Sequence, residues 1–249
     1  MLNEIIERFK QGYKTTDFPK TDPELSNRYK GVPTIKCCDK ECKACVNVCP
    51  TDAIIFDDKY NIDLSKCTFC GDCIAACPNS NIEFSSDFRM AVSDKADLLV
   101  SDKQLKLANA TKNKIFSMFN RSLKLRVIST GGCNACEADI NVLSTLAFDL
   151  GRFGIQVVAS PRHADGLIIT GPVTESMKTA LKDTYDAIPD PKLVVAVGAC
   201  ALSGGIFQNH PEQNNGADNI IPVDLYIPGC PPNPYTILDG LLRILNKHF

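Results

Sequence analysis

In the second half of the chain, apolar and polar positions follow two alternating patterns. From residue 123 onward, short apolar runs of strand length are separated by longer segments with helical spacing. Strands that alternate with helices predict a mostly parallel sheet covered by helices on both faces. The predicted strands are LKLRVIS, GIQVVAS, DGLIITG, KLVVAVGA and VDLYIPG, which begin at residues 123, 154, 165, 192 and 223.

The helical spacing occurs in residues 137–150, 173–188 and 232–249. The first of these predicted helices places four apolar side chains on one face, namely Ile140, Leu143, Ala147 and Leu150. We therefore expect an α/β, flavodoxin-like three-layer domain with a mostly parallel sheet over residues 123–249.

The first 122 residues have a different pattern. A helix is predicted for residues 2–13, a proline-bearing arm for 14–33, and a polar helical connector for 96–123. We expect four parts in the chain. These are a helix and docking arm at 1–30, a small cysteine-rich domain at 31–92, a helical connector at 93–122 and the α/β domain at 123–249.

The composition narrows the class of protein. Of the 249 residues 44% are apolar, and the formal net charge is −2, which is typical of a globular chain and does not favour nucleic acid as a partner. The apolar run LVVAVGACALSGGIF is too short and too broken by glycines to span a bilayer, and the N-terminus lacks the pattern of a secretory signal. We therefore expect a cytoplasmic protein.

The chain has 13 cysteines. In a reducing compartment thiols stay free of disulfides, and metal binding is their usual role. Nine of the cysteines lie between residues 37 and 77, and the other four are Cys133, Cys136, Cys200 and Cys230. This distribution predicts a small cysteine-dense module followed by a larger domain with a single site.

The small module contains the run CTFCGDCIAACP at residues 67–78. Its spacing is that of bacterial ferredoxins, in which three thiolates bind one 4Fe-4S cluster and the fourth binds the neighbouring cluster. Zinc fits poorly, because zinc sites pair two separated knuckles. A shift of 28 residues finds an earlier copy, in which AIIF at 53–56 corresponds to NIEF at 81–84. The repeat predicts a duplicated α+β ferredoxin domain of the bacterial type with two 4Fe-4S clusters.

One position departs from the repeat, because Asp39 stands where the second copy has Cys67. Cys38 is the first choice for the missing ligand, Cys37 the second and the Asp39 carboxylate the third, since iron of this kind prefers thiolate to a hard oxygen. A spare Cys37 is then a small buried hydrophobe. The predicted ligands are Cys38, Cys42, Cys45 and Cys77 for cluster 1, and Cys49, Cys67, Cys70 and Cys73 for cluster 2.

The remaining four cysteines, Cys133, Cys136, Cys200 and Cys230, each follow a predicted strand. Because the carboxyl ends of the strands form the ligand crevice of an open α/β sheet, these thiols can converge on one site. A helix that begins just after Cys133 would direct the positive end of its dipole toward an anionic cluster. A zinc site with four thiolates has the same ligand count. The two neighbouring clusters favour a third 4Fe-4S cluster, cluster 3.

Motifs along nearly the whole chain resemble one family. GGCNACE, SPRHADGLIITGPV, GACALSGGIF and VDLYIPGCPPNP are similar to the small, electron-transferring subunit of membrane-associated energy-converting nickel–iron hydrogenases, which is related to the terminal-cluster subunit of respiratory complex I. YKGVPTI, CPTDAI, CTFCGDCIAACP and FRMAVSDKADLL are similar to the two-cluster ferredoxin subunit of the same complexes. The chain resembles a fusion of two neighbouring relay subunits.

The resemblance implies an electron-relay subunit with three 4Fe-4S clusters and a nickel–iron catalytic site in a separate large subunit. It also implies ferredoxin or a similar low-potential donor, membrane-arm subunits as partners, and a peripheral position on the inner face of the cell membrane. The C-x2-C spacing of Cys133 and Cys136 is hydrogenase-like, whereas the complex I branch has adjacent cysteines there. The alternatives are a relay in a complex I-like quinone or ferredoxin oxidoreductase, and a polyferredoxin without a catalytic partner.

Several other residues are candidates for secondary roles. The resemblance places Arg162 and His163 beside the cluster domain, where a hydrogen-bonded loop pair is favoured over tuning of the cluster potential. Glu137 fits a proton route to the partner's metal site and a helix cap equally well. His210 and His248 are expected at the surface.

The predicted N-terminal helix has Leu2, Ile5, Ile6 and Phe9 on one side. Because the arm that follows has few apolar residues, we expect the helix and the arm to contact another subunit. Packing on the chain's own domain is the alternative.

Overall fold

The computed structural model describes residues 2–36, 42–57, 59–101, 105–108 and 122–247. The predictions for Cys37, Cys38, Asp39 and His248 lie outside the described residues. The described residues form a cysteine-rich unit followed by an α/β unit.

The chain begins with helix α1 (Leu2–Gln11), which ends where Gly12 takes a left-handed conformation. This agrees with the predicted helix. Its side chains Ile5, Ile6 and Phe9 are exposed, and Phe9 is 83% exposed.

The arm after α1 packs on the chain's own α/β unit, and its predicted contact with another subunit stays a prediction. The backbone N–H of Thr16 donates to the carbonyl of Ala147 at 2.9 Å. Phe18 is buried, and its ring packs edge-on against that of Tyr235 with 5.4 Å between the ring centroids. Few, widely spaced apolar residues are enough to anchor an arm when aromatic rings receive them.

The cysteine-rich unit is the predicted duplicated ferredoxin fold. Its elements are β1 (Pro33–Ile35), α2 (Ala44–Val48), β2 (Ile54–Asp57), β3 (Lys59–Asp63), α3 (Asp72–Ala76) and β4 (Ile82–Phe84). The helices α2 and α3 are offset by 28 residues, as are the starts of β2 and β4. β1 pairs antiparallel with β4, and β2 pairs antiparallel with β3. Each pair therefore joins a strand of one copy to a strand of the other.

The start of the predicted helical connector is not α-helical. Lys95–Leu98 form a 3-10 turn, and strand β5 (Leu99–Val100) pairs antiparallel with β3. Leu98 and Val100 are buried while Leu99 is half exposed, so the burial alternates with the period of a strand. Residues 102–104 and 109–121 of the connector lie outside the described residues.

Five strands of the described α/β unit form one parallel sheet, as predicted. They are β6 (Leu123–Ser129), β7 (Ile155–Val157), β8 (Gly166–Thr170), β9 (Leu193–Val197) and β10 (Leu225–Ile227). The order across the sheet is β10-β9-β8-β6-β7. This is the flavodoxin-like order, in which the chain reverses its direction of travel between β6 and β8 and opens a crevice at the carboxyl ends of these strands.

Helices cover both faces of this sheet. They are α4 (Ala135–Val142), α5 (Glu175–Ala187), α6 (Ala199–Ser203) and α7 (Pro234–Ile244). The core on one face contains residues of α4 and α7, and the core on the other contains Leu181 of α5. Among the described residues, no helix is long and apolar enough to cross a membrane.

Helix α4 is shorter than predicted. It ends at Val142 and not at residue 150. At this end, the backbone N–H and the hydroxyl of Thr145 both donate to the carbonyl of Val142. Leu143 is still buried, and a 3-10 turn brings Leu150 into the same core. The apolar face was therefore predicted correctly although the helix was not continuous.

The two units share a core. Val92 and Tyr226 form an antiparallel bridge with N–H···O distances of 3.0 and 2.9 Å. The buried hydroxyl of Ser203 donates to the carbonyl of Ser65 at 2.8 Å. One apolar cluster contains residues of both units, including Val92 and Leu202. The position of the ferredoxin unit on the α/β unit is thus fixed by packing.

Candidate iron–sulfur sites

Four thiols from three loops meet at the carboxyl edge of the parallel sheet. Cys133 and Cys136 follow β6, Cys200 lies in the first turn of α6 after β9, and Cys230 follows β10. They line a cavity of about 90 Å³. Its other lining residues are Gly132, Ala135, Glu137, Gly171, Ala199, Gly229 and Pro231. The structure therefore brings together all four residues that were predicted as ligands of cluster 3.

Glycines leave the space that these thiols surround. Gly198 has a φ of +90°, and a Cβ on it would lie 2.6 Å from the sulfur of Cys136. A Cβ on Gly132 would lie 3.1 Å from the Cα of Gly171. At Gly198 only glycine permits this combination of left-handed backbone and close approach. Four thiols around an open cavity fit a 4Fe-4S cluster.

Burial is the largest cause of the raised pKa values of the thiols Cys136, Cys200 and Cys230. Burial, followed by the neighbouring thiol of Cys200 and the charge of Glu137, raises the pKa of Cys136 to about 12. Burial and the neighbouring thiols raise the pKa of Cys200 to about 12 as well. Because iron binds the thiolate form, loading of this site must release the protons that these thiols hold at neutral pH.

In the chain without iron, we expect Cys133 to react with iodoacetamide more than about tenfold faster than Cys136 at pH 8. The thiolate is the reactive form, and Cys133 is exposed whereas Cys136 is partly buried with a pKa of about 12. Peptide mass spectrometry after timed alkylation measures both rates. The same chain unfolded in urea is the control, in which the rates should converge. Equal rates in the folded chain would contradict the expectation.

A second set of thiols surrounds a smaller cavity in the ferredoxin unit. Cys49, Cys67, Cys70 and Cys73 line it, together with Thr51, Ala53, Ile54, Ile62, Thr68, Gly71 and Phe84. These four are the predicted ligands of cluster 2. Cys49 comes from the first copy of the repeat, and the other three come from the second. Burial, before all other causes, raises the pKa of Cys67 to about 12 and that of Cys73 to about 11.

Backbone N–H groups point at the sulfur atoms of this unit. The N–H of Ala53 lies 3.3 Å from the sulfur of Cys49, and that of Asn81 lies 3.3 Å from the sulfur of Cys77. Both contacts span four residues, and the repeat relates one to the other. Such donors stabilise negative charge on sulfur and set the potential of a cluster.

Of the residues predicted for cluster 1, the structure describes Cys42, Cys45 and Cys77. The hydroxyl of Tyr60 donates a hydrogen bond to the carbonyl of Cys42, and Cys45 is buried. Cys45 is near enough to Cys73 to raise its pKa, although this contribution is smaller than that of burial.

A third cavity of about 170 Å³ lies between the two units, and no sequence pattern predicts it. Its lining includes Thr68 and Phe69, from the loop between two predicted ligands of cluster 2, and Cys230, a predicted ligand of cluster 3. Arg28 and Lys30 of the arm line the same cavity. These arm residues were missed because only the fold brings them to the sites.

Glu137 lines the cavity of cluster 3 and accepts a hydrogen bond from Thr170 at 2.7 Å. Burial raises its pKa, but hydrogen bonds from Ser129 and Thr170 outweigh it, so that the pKa is lowered overall.

Other predicted residues do not reach the site. Arg162 and His163 lie on an exposed 3-10 turn, Pro161–His163, and are absent from the lining of the cluster 3 cavity. His210 is exposed, as predicted.

The fold and the thiol sites define the class of iron–sulfur electron-transfer proteins. Residues 36–82 match the family model of a 4Fe-4S dicluster domain, and residues 133–244 match that of the NADH ubiquinone oxidoreductase 20 kDa subunit. The chain belongs to this 20 kDa subunit family, with a dicluster ferredoxin domain in front.

Relatives of two kinds are similar to the chain. A probable membrane-bound hydrogenase subunit of Pyrococcus furiosus is 46% identical over 120 residues, which cover 48% of this chain and 72% of the relative. Subunit 7 of the formate hydrogenlyase of Escherichia coli is 44% identical over 134 residues, covering 54% of this chain and 52% of the relative. An NADH-quinone oxidoreductase subunit of Bacteroides thetaiotaomicron is 44% identical over 119 residues, covering 47% of this chain and 60% of the relative.

These relatives are subunits of oxidoreductases, and the chain is an electron-transfer subunit of this hydrogenase and complex I-like group. The chain spans less than two thirds of the Escherichia coli and Bacteroides proteins. Sequence identity alone does not separate the hydrogenase relatives from the quinone oxidoreductase relatives, because both are equally similar.

Proposed function

We propose that the chain is the electron-relay subunit of a group 4-type nickel–iron hydrogenase complex. It would hold three 4Fe-4S clusters between a low-potential donor such as ferredoxin and the nickel–iron site of a separate large subunit, where hydrogen is evolved or taken up. The clusters would supply one-electron transfer. The ligand sets are Cys38, Cys42, Cys45 and Cys77 for cluster 1, Cys49, Cys67, Cys70 and Cys73 for cluster 2, and Cys133, Cys136, Cys200 and Cys230 for cluster 3.

A cavity shared by two of the candidate sites carries this proposal; the ligand sets of clusters 1, 2 and 3 are called sites 1, 2 and 3. Thr68 and Phe69 lie between Cys67 and Cys70, and they line the same cavity as Cys230. The loop of site 2 therefore faces the loop of site 3. Because the two units share a core, the position of the site 2 loop relative to the site 3 loop is fixed. The arrangement supports a relay from the ferredoxin unit into the α/β unit.

The surface beside site 3 supports contact with a large subunit. Cys133 and Cys230 are exposed at the rim of the site. Ile206 and Phe207, which follow the loop of Cys200, are 59% and 44% exposed. Exposed apolar side chains that lie together beside a redox site are typical of a surface that a partner protein covers.

The C-x2-C spacing of Cys133 and Cys136 favours the hydrogenase branch. A relay in a complex I-like quinone or ferredoxin oxidoreductase is the second candidate, and the equal identity to an NADH-quinone oxidoreductase subunit favours it. In that case the partner would hold no nickel.

A membrane-arm subunit is the partner that we propose for α1. Its side chains Ile5, Ile6 and Phe9 are exposed, and Tyr13 just beyond it is 92% exposed. The similarity to a membrane-bound hydrogenase subunit supports a peripheral position on the inner face of the cell membrane. The arm packs on the α/β unit, whereas α1 keeps these apolar side chains exposed.

The test is metal analysis of the complex, purified without oxygen. We expect about twelve iron and twelve sulfide per chain from three clusters, and nickel in the partner subunit. About eight iron with one zinc would contradict the assignment of site 3. Full iron without nickel, in a complex that retains its large subunit, would favour the complex I-like alternative.

A further inference from the structure

Lys30 of the arm lies across a glycine in the loop of site 2. A Cβ on Gly71 would lie 2.6 Å from the Cε of Lys30 and 3.2 Å from its Nζ. Gly71 directly follows Cys70 and has a φ of +90°. The glycine thus provides both the left-handed turn and the recess for the lysine.

The two residues that flank Lys30 are each bonded to a different unit. The hydroxyl of Tyr29 is 3.3 Å from the hydroxyl of Thr236 in the α/β unit. The N–H of Gly31 donates to the carbonyl of Ser85 in the ferredoxin unit at 2.8 Å. Lys30 is therefore fixed at the junction of the two units.

The charge of Lys30 lies beside the loop of site 2, and no carboxylate among the described residues forms an ion pair with it. Its side chain is half-buried, and the described residues contain no ion pair of Lys30. The same side chain lines the cavity that separates the loop of site 2 from Cys230. Arg28 also lines this cavity but is exposed.

The internal repeat provides a comparison. Lys43 occupies the position in the first copy that Gly71 occupies in the second. Its side chain is exposed, so solvent screens its charge, and its backbone has a φ of −103° rather than a left-handed value. A half-buried lysine thus lies beside site 2, whereas the lysine that replaces Gly71 in the first copy is in solvent.

We propose that Lys30 raises the reduction potential of cluster 2. This inference rests on the proposed function, because it requires a 4Fe-4S cluster at Cys49, Cys67, Cys70 and Cys73. Each reduction adds one electron from the reductant, and a nearby cation stabilises the added negative charge. Placed between sites 2 and 3, the same charge offsets the repulsion between two anionic clusters and favours transfer of an electron from site 1 to site 2.

The experiment is a potentiometric titration of the full chain with dithionite and mediators, followed by EPR spectroscopy. Lys30→Met removes the charge and keeps the length, Lys30→Arg keeps the charge, and Lys36→Met is the matched control. Lys36 is exposed and pairs with Glu83 of the same unit at 2.6 Å. We expect Lys30→Met to lower the midpoint potential of one ferredoxin-unit cluster and, less, that of cluster 3. Lys30→Arg and Lys36→Met should leave all potentials near the wild-type values.

Unchanged potentials in Lys30→Met, with iron content equal to wild type, would overturn the inference. If Lys30→Met loses about four irons while Lys30→Arg retains them, the charge is needed to hold the cluster, which supports the inference. A loss shared by both variants overturns it, because the shape of the side chain would then be what matters. A complex without nickel would overturn the hydrogenase proposal and leave these comparisons valid.

Discussion

Cys230→Ala is expected to abolish ferredoxin-coupled hydrogen evolution in a complex that still assembles. Cys230 is one of four thiols around the cavity of site 3, and its loop faces the Thr68–Phe69 loop of site 2. Loss of this thiolate removes a ligand from cluster 3 and interrupts the relay at its last step. The two ferredoxin-unit clusters should stay reducible by dithionite, as EPR spectroscopy would show.

Cys37→Ala is the control for this experiment. It makes the same chemical change at the cysteine predicted to be spare, so hydrogen evolution should be retained. Undiminished hydrogen evolution in Cys230→Ala would refute the assignment of site 3 as the final relay.

Gly31→Ala is expected to destabilise the chain by about 3 kcal/mol. A Cβ on Gly31 would overlap the backbone carbonyl oxygen of Asp87 and lie 2.8 Å from its carbonyl carbon. This carbonyl accepts the N–H of Val32 at 3.1 Å, and neither backbone can move without losing that bond. The melting temperature of the anaerobic chain should fall by about 6–12 °C.

Gly151→Ala is the matched control for Gly31→Ala. The nearest atom to a Cβ on Gly151 is a carboxylate oxygen of Asp149 at 3.7 Å, and Gly151 does not require a left-handed backbone. Its stability should change by less than about 0.5 kcal/mol. A melting temperature of Gly31→Ala equal to that of Gly151→Ala would show that the arm is not packed as described.

The features that the sequence predicted correctly are those that depend on the spacing of cysteines and apolar residues along the chain. The ferredoxin fold follows from cysteines a few residues apart and from a repeat that aligns α2 with α3. The parallel sheet follows from apolar runs that alternate with helices. The convergence of Cys133, Cys200 and Cys230 could also be predicted, because strand ends of one parallel sheet share an edge.

The features that were missed depend on contacts between distant segments. The packing of the arm on the chain's own α/β unit has no signal in its polar pattern, and only the aromatic pocket around Tyr235 shows why Phe18 is anchored there. β5 was predicted to be helical, because its two residues are too few to show a strand period without their partner β3. The position of Lys30 over Gly71 depends on contacts of the arm with both units, and no local sequence pattern indicates it.

The bridge between Val92 and Tyr226, with the buried hydrogen bond from Ser203 to Ser65, has a consequence for the ancestry of the chain. Each unit recognises the other through its own surface, so the geometry of the pair does not depend on the peptide that links them. Two separately encoded polypeptides with the same surfaces would dock in the same way. A gene fusion at this point would then change the stoichiometry, by guaranteeing one ferredoxin unit for every α/β unit, and leave the spacing of the redox sites as it was.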